Sequence, residues 1–458
     1  MVRTILAVHL ATMVGFALGT LLIAHFIRQR RPPAGNLAWV LAIVLCPYLG
    51  LPLYLLAGGR KMRAIALRKR PLRLQDGHAP AARPTALETL LESHRIPPAA
   101  AGHRLRLYPA GPERFTALLE LIDGARHSLY VSAYLLCPDS VGREIVARLA
   151  RRARDGLTVR LLLDGVGSRH TRRRHLAPLA AAGGRAAYFL PVFRRPLRGR
   201  ANLRNHRKMI VADGQRAIAG GANIAAEYMA PEADPAAWGD LSFLLEGPAV
   251  RHYVRLFRSD WEFATGERLP PGAAPEPVLA HGAVVQVVPS GPDVAGDPLA
   301  DALLTVAQSA RRRLWIVTPY FVPDDAFCRT LALTAHRNVD VRVILPERSD
   351  HRLADWSGRG YLREIQAAGG TVAFDRRMMH AKAVLMDDDV AILGSANVDM
   401  RSLLLNYEAA LFVYDSESIR HVSAWMEGMA RHTHPRVLKG GGVGELVESL
   451  ARLLAPQL

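Results

Sequence analysis

The sequence predicts an α/β chain made of two duplicated halves, preceded by an apolar N-terminal hairpin. Three observations carry that expectation. One pattern occurs twice at identical spacing, as His206-Arg-Lys208-Met-Ile-Val-Ala-Asp213 and His380-Ala-Lys382-Ala-Val-Leu-Met-Asp387. Strand-like and helix-like stretches recur in the same order ahead of each copy. Before both lie two long apolar stretches.

The apolar stretches come first in the chain. Ile5 to Ile27 is 23 residues long, interrupted only by His9 and His25. As a helix that length crosses a hydrocarbon core of about 30 Å. Arg28, Arg30 and Arg31 follow, then the helix-breaking pair Pro32-Pro33. A second apolar stretch runs from Leu37 to Ala57 and ends at Gly58-Gly59. A cleaved secretory signal would be shorter and followed by small residues at a cleavage site, so residues 1–59 are expected to be a retained two-helix transmembrane hairpin. Pro47 and Pro52 leave a kinked or re-entrant second segment open.

Residues 60–103 read as a basic linker. Arg60, Lys61, Arg63, Arg68, Lys69, Arg70 and Arg73 outweigh the three arginines of the hairpin loop. That bias places the remainder of the chain on the cytoplasmic side of a bacterial inner membrane, and the cluster suits an anionic membrane surface. Pro71 to Pro98, rich in Pro and Ala, reads as poorly ordered. The formal charge of +18 is compatible with nucleic acid, anionic lipid or a plain arginine bias. Three cysteines, one of them Cys46 in an apolar stretch, supply neither a disulfide framework nor a zinc-type pair. No HExxH or close His/Cys cluster occurs, so neither a metal nor another cofactor is expected.

The first α/β half spans 104–270 and the second 283–434. Ala125-Arg-His-Ser-Leu-Tyr-Val-Ser is echoed by Ala310-Arg-Arg-Arg-Leu-Trp-Ile-Val, and Val159-Arg-Leu-Leu-Leu by Val341-Arg-Val-Ile-Leu. Each half then reaches a Gly-Gly turn, at Gly183-Gly184 and Gly369-Gly370. Strands alternating with helical stretches predict largely parallel sheets flanked by helices. Residues 435–458 form a tail whose Leu446, Leu450, Leu453 and Leu454 share one helical face, suited either to the membrane surface or to core packing.

The chemistry sits in the repeated pattern. The chain has only five lysines among 59 basic residues, and two of them stand two residues after a histidine. A guanidinium is a planar fork, whereas an ammonium is a compact charge that fits beside a tetrahedral phosphate. Apolar residues after each lysine mark buried strands. Alternate strand residues share a face, so His206 points with Lys208 and His380 with Lys382. Asp213 and Asp387 have the opposite parity and fall at turns, which suits structural roles. Each copy then leads to a small-residue loop, Gly220-Gly221-Ala-Asn223 and Gly394-Ser395-Ala-Asn397, with both asparagines 17 residues beyond their histidine. Glycine would let backbone amides approach an anion.

The paired HxKxxxxD motifs with trailing G-[GS]-x-N resemble the phospholipase D superfamily and, within it, the bacterial cardiolipin synthases. Asn202-Leu-Arg204-Asn205-His206, Gly247-Pro-Ala-Val250, Val288-Pro-Ser-Gly-Pro292, Thr318-Pro-Tyr-Phe-Val-Pro323 and Ser349-Asp-His-Arg352 extend the likeness over nearly the whole chain. The resemblance implies two phospholipase D-like α/β/α domains packed as an internal pseudo-dimer, with the site on their seam. It implies a catalytic set of His206, Lys208, Asp213, His380, Lys382 and Asp387. One histidine, His206 by resemblance, would attack phosphorus while the other protonates the departing alkoxide. Lys208, Lys382, Asn223, Asn397 and Ser395 would hold the phosphoryl oxygens.

Family enzymes also place a carboxylate downstream of each motif to fix the imidazole tautomer. Asp240, in Trp238-Gly-Asp240, is expected to serve His206, and Glu408, in Asn406-Tyr-Glu408, to serve His380. Ala133-Tyr134-Leu135-Leu136-Cys137 is less aromatic than the family's strand end, and the stretch from Asn223 to Trp238 is short, so headgroup preference stays open. The implied reaction joins two phosphatidylglycerol molecules into cardiolipin and releases glycerol. A phospholipase D-type hydrolase, acting on lipid or nucleic acid, is the rival enzyme, and a basic membrane tether for nucleic acid the rival non-enzyme. Two intact histidine motifs disfavour the tether, and the hairpin disfavours a nuclease.

Overall fold

The computed structural model describes residues 69–74, 85–191, 203–272, 278–280 and 282–442, with scattered residues of 9–50 and 444–452. The predicted hairpin and most of the basic cluster lie outside the described residues. Among the described residues no helix is long and apolar enough to cross a membrane.

Helix α1 (Ala86–Ser93) precedes the first half. That half contains β1 (Ala100–Tyr108), α2 (Gly111–Asp123), β2 (Ser128–Ala133), α3 (Ser140–Arg154), β3 (Thr158–Asp164), α4 (Arg173–Ala181) and β4 (Arg185–Phe189). It continues through β5 (Met209–Ala212), β6 (Arg216–Gly220), β7 (Ser242–Glu246) and α5 (Val250–Thr265). The second half opens with β8 (Ala283–Ser290), α6 (Pro298–Ser309), β9 (Arg313–Val317), the short β10 (Phe321–Val322), α7 (Asp325–His336), β11 (Asp340–Pro346), α8 (Arg352–Ala367) and β12 (Thr371–Asp375). It closes with β13 (Ala383–Met386), β14 (Val390–Gly394), β15 (Val398–Asp399), α9 (Met400–Leu404), β16 (Glu408–Val413), α10 (Ser416–Ala430) and β17 (Thr433–Pro435).

The duplication is visible strand by strand. One sheet runs β17-β12-β11-β9-β13-β14-β16-β8-β1-β7-β6-β5-β2-β3-β4. Read outward from the antiparallel β8–β1 junction, the two halves give matching orders. Among the described strands of this sheet, pairing is parallel only among β2, β3 and β4 and among β9, β11 and β12, while β10 and β15 form a separate short parallel pair. The expectation of largely parallel sheets was therefore too broad. Each His/Lys strand returns on itself through a tight turn, at Asp213-Gly214 or Asp387-Asp388-Asp389, and so short a connection can join only antiparallel neighbours.

Side-chain alternation along the strands feeds separate cores. Leu129 and Val131 of β2 face α2, α3 and α4, and Ile316 and Val343 face α1, α6, α7 and α8. On the opposite face one core continues across the seam, joining Phe243, Tyr253 and Phe257 to Val287, Leu411 and Val422. Helices α5 and α10 cover it, so the halves share a hydrophobic layer and do not merely touch.

The stretch predicted to be a disordered linker is partly folded. Thr85 caps α1 with a reciprocal capping box to Glu88, and Leu87, Leu91 and Ile96 are buried against the second half. Lys69, expected to face lipid headgroups, is 2% exposed. Its ammonium pairs with Asp260 on α5, and with Asp293 beyond β8 at 2.7 Å, so it ties one half to the other. It also stands 4.5 Å from the centre of the Tyr407 ring. Leu72 N–H donates to Asp293 O at 2.8 Å and Arg255 Nη1 donates to Leu74 O at 2.5 Å. In the tail, Glu448 pairs with Arg363 at 2.6 Å and Arg452 stands over the Tyr361 ring at 3.9 Å. Those tail residues pack on α8; Leu446, Leu450, Leu453 and Leu454 lie outside the described set.

Removing one partner of a buried ion pair strands the others, at a cost of about 3–5 kcal/mol. Lys69→Ala should lower unfolding stability by that order, whereas Arg70→Ala, at a side chain 76% exposed, should change it by no more than about 0.5 kcal/mol. Denaturant unfolding of both variants checks this; equal, small effects would mean that Lys69 is not part of the core.

Candidate active site

The seam is closed by two short backbone exchanges placed symmetrically. His206 N–H donates to Tyr407 O at 2.9 Å, and Tyr407 N–H donates to Arg204 O at 2.9 Å. In the mirror arrangement His380 N–H donates to Gly239 O at 2.6 Å, and Gly239 N–H to Met378 O at 2.9 Å. Each histidine-bearing stretch is thus laid against the carboxylate-bearing stretch of the opposite half.

That crossing decides the proton partners. His206 Nδ1 lies 2.8 Å from Glu408 Oε1, and His380 Nδ1 lies 2.8 Å from Asp240 Oδ2. The within-half assignment made from the sequence is therefore reversed: Asp240 serves His380 and Glu408 serves His206. Proximity along the chain misled because β7 and β16 each run beside their own His/Lys hairpin but aim their leading carboxylate over the seam. With Nδ1 engaged by a carboxylate, the Nδ1–H tautomer is favoured and Nε2 is the nitrogen left for chemistry.

The small-residue loops make room for these carboxylates. A Cβ on Gly221 would sit 2.2 Å from Asp240 Oδ1, and one on Gly220, whose φ is +144°, would sit 2.4 Å from Leu241 O. Gly221 N–H donates to Leu241 O at 3.0 Å and Ser395 N–H to Ala409 O at 3.1 Å. Those amides are spent on the carboxylate strands, contrary to the expected anion contact. Ser395, expected on phosphate, donates its hydroxyl to Glu408 Oε2 at 2.5 Å. Asn223 and Asn397 are buried near the site, their side chains hydrogen-bonded to Tyr228 and Asp399.

The motif aspartates lie at the far ends of their strands, at the turn positions that strand parity predicts and away from the catalytic set in which the resemblance had placed Asp213 and Asp387. Asp213 (φ +57°) accepts the backbone N–H groups of Arg126, His127 and Ser128, and Asp387 (φ +50°) those of Arg311, Arg312 and Arg313. Each carboxylate clamps its hairpin to the start of β2 or β9. Neither touches a motif histidine.

Lys208 donates to His206 O at 2.9 Å. Lys382 donates to His380 O and lies 2.7 and 3.1 Å from the two ring nitrogens of His380. Burial pulls the Lys208 ammonium down to about 7 and Lys382 to about 8, with Glu408 and Asp240 respectively opposing the shift. Burial, reinforced by Lys382, lowers His380 to about 3; His206 is lowered as well, by burial against the pull of Glu408. Burial also works against the Asp240 carboxylate, yet the His380 hydrogen bond and the Lys382 charge hold it below its ordinary value. Burial thus biases both imidazoles and both lysines toward their neutral forms, while the facing histidines and lysines hold both carboxylates below their ordinary values.

Sequence reading flagged only part of the surrounding shell. Tyr134 stands edge-on to His206 at 4.8 Å and Tyr228 edge-on to His380 at 5.0 Å. Arg114 donates to Asp240 O and Tyr228 O, each at 2.6 Å, bracing that carboxylate from behind. Arg207, between the two motif residues and on the opposite face, donates to both oxygens of Asp260 at 2.8 and 2.9 Å. The one signal for Arg207 was its position within the motif; nothing in the sequence pattern singled out Arg114. Among the described residues no group of three or more His, Cys, Asp and Glu side chains is arranged to hold a metal.

The two lysines set opposite pH trends. Their folded pKa values lie below the unfolded value of about 10.4, so between roughly pH 7 and 10 the unfolded chain binds more protons and stability rises with pH. Over the same window loss of the ammonium charge should lower kcat/KM for an anionic substrate. Lys208→Met should be inactive yet at least as stable as the parent at pH 7, with a shallower rise above it. A markedly less stable variant would show that the buried ammonium is net stabilising.

Residues 118–261 and 303–430 match the family model described as "Cardiolipin synthase, PLD-like domain", and residues 17–59 match "Phospholipase_D-nuclease N-terminal". The chain is 31% identical to "Cardiolipin synthase 1" of Bacillus anthracis, over 94% of this chain and 90% of that one. It is 33% identical to "Cardiolipin synthase A" of Pseudomonas aeruginosa, over 90% and 87% of the two chains. In fold it resembles the crystal structure of phosphatidylserine synthase from Haemophilus influenzae, with TM-score 0.63 at 17% identity, over 82% of this chain and 100% of that one. The duplicated sheet, the crossed histidine pairs and these relatives together show that the chain belongs to the cardiolipin synthase family of phospholipase D-like enzymes.

Proposed function

We propose that this enzyme is a phosphatidyltransferase that condenses two phosphatidylglycerol molecules into cardiolipin and glycerol at a bacterial inner membrane. The observation that carries the reading is the pair of crossed histidine–carboxylate couples, each with its own lysine. Two equivalent proton-handling groups on one seam suit a double displacement, in which one alcohol leaves and another enters on the same path.

The donor phosphodiester enters between Lys208 and Lys382, whose charges receive its anionic oxygens. His206 Nε2 attacks phosphorus; the P–O bond to the headgroup glycerol breaks, and that oxygen takes a proton from His380. His380 takes up that proton from solvent as the donor binds, because the incoming negative charge favours the imidazolium that burial alone disfavours. Glu408 stabilises the charge on the phosphorylated His206 ring, and Asp240 the charge on His380 when protonated. In the second step His380 takes the proton of an incoming hydroxyl. The new P–O bond forms as the P–N bond breaks, and both histidines return to their starting state.

The N-terminal apolar stretches are proposed to hold this core at the membrane with the catalytic halves on the cytoplasmic side. There phosphatidylglycerol hydroxyls are dense, while a seam lined with protein limits competing water. Nucleic acid has no place in this reading.

Purified full-length enzyme with phosphatidylglycerol vesicles should yield cardiolipin and free glycerol, with phosphatidic acid minor. Added glycerol should drive cardiolipin back to phosphatidylglycerol. His206→Ala and His380→Ala should each fall below about a tenth of parental turnover, because the two groups act as one unit. Phosphatidic acid as the main product, with no reversal by glycerol, would indicate a hydrolase instead.

A further inference from the structure

The pseudo-symmetry fails at one place beside the site. In open α/β sheets ligands bind at the carboxyl ends of parallel strands, and each half has such an end. Among the described residues of the first half that end is closely packed. A Cβ on Gly165 would lie 2.7 Å from Pro191 Cα, and one on Gly167 would lie 2.3 Å from Tyr134 O. Asp164, at the end of β3, is used up on Asn205 N–H at 2.9 Å and on Arg204. In the second half the corresponding ends of β9, β11 and β12 open into a cavity of about 680 Å³, within the range of small-molecule sites.

The lining is amphipathic. Phe321, Leu345 and Leu362 form a buried apolar floor, while Arg348, Arg352 and Arg359 stand at the exposed rim. The rim acids are already engaged: Glu347 with Arg436 at 3.5 Å, and Asp355 with the Ser349 hydroxyl at 2.6 Å. Arg352 lies over Trp356 at 5.6 Å, and Arg359 is 3.5 Å from Glu448. For Arg348 no ion-pair partner is found among the described residues. Such a surface fits a group with an anionic head and an alkyl body.

The cavity also borders the chemistry. Tyr320 lines it and donates its hydroxyl to Asp350 Oδ1 at 2.5 Å. The Asp350 charge acts on both Lys382 and Tyr228, and Tyr228 is the ring set edge-on to His380. In the double displacement, His380 is the base for the incoming hydroxyl. A pocket reached through Tyr320 and Asp350 on its side of the seam suits the second substrate.

We propose that this cavity is the acceptor-lipid site. It holds a second anionic glycerophospholipid with its phosphate on Arg348 and Arg352, its chains along the apolar floor and its free headgroup hydroxyl directed past Tyr320 to His380. The proposal rests on the transferase reading and adds to it that donor and acceptor occupy different sites. The donor lies between the lysines, the acceptor in the second half only.

Both fates of the phosphohistidine start from one intermediate, so the cardiolipin to phosphatidic acid ratio isolates capture by the acceptor. The full-length Arg348→Glu/Arg352→Glu variant loses both charge-assisted contacts to the acceptor phosphate and should lower that ratio at least about tenfold, as water replaces the missing acceptor. A ratio within about twofold of the parent, whatever the total turnover, would overturn the proposal. A second readout does not need the reaction. In the His206→Ala enzyme, phosphatidylglycerol brominated on its acyl chains should quench a share of the tryptophan fluorescence that Trp356→Phe removes. Quenching unchanged by Trp356→Phe would also overturn it. If the parent made phosphatidic acid alone, the transferase reading would fail, and quenching would still decide whether a lipid occupies the cavity.

Discussion

An imidazole removed from water keeps a defined tautomer only if an acceptor is fixed against one of its nitrogens. In this fold the acceptor for each histidine comes from the opposite half. Glu408 reaches His206 and Asp240 reaches His380, both at 2.8 Å, because the backbone exchanges at Tyr407 and Gly239 lay each carboxylate stretch beside the other half's histidine. The β8–β1 junction, the shared core under α5 and α10, and the Lys69 tie all keep that registry. Neither half holds a complete proton-handling couple by itself. Duplication therefore supplied two copies of the parts, and the seam supplied the site.

The reactive centre is costly to fold. Two ammonium groups, two carboxylates and two imidazoles are taken almost wholly out of water, and both lysines and both histidines shift toward their neutral forms in consequence. That bias is useful to a phosphodiester enzyme. An anionic substrate restores the missing charge balance, so the interactions that penalise the empty site favour the occupied one. Behind the reactive face, Arg207, Lys69, Asp260 and Asp293 form a second buried set in which two cations meet two anions. It holds the His206 strand from the rear and fixes where the chain emerges from the basic N-terminal segment.

Much of this was legible in the sequence because it depends on periodicity and duplication. The parity of His206 and Lys208, the turn positions of Asp213 and Asp387, and the echoing strands before each motif are local patterns. The crossed pairing was not legible: it depends on which way a carboxylate points over a seam, and spacing along the chain favours the wrong partner. The roles of Gly221 and Ser395 were misassigned for the same reason, since the carboxylates they meet lie 19 and 13 residues further along the chain. Lys69 was hidden in a run of basic residues that look alike in sequence, and only burial distinguishes it. The open cavity in the second half depends on how the segments beyond β9, β11 and β12 pack, which has no one-dimensional signature.

The crossed couples can be observed directly through the ring nitrogens. Histidine ¹⁵N chemical shifts of the parent, Glu408→Gln and Asp240→Asn proteins, assigned with His206→Ala and His380→Ala, report which imidazole loses its charged acceptor. Glu408→Gln should move the Nδ1 resonance of His206 and leave that of His380 nearly in place, with Asp240→Asn doing the reverse. If Glu408→Gln instead perturbed His380, each half would be serving its own histidine, and the seam would not be what completes the site.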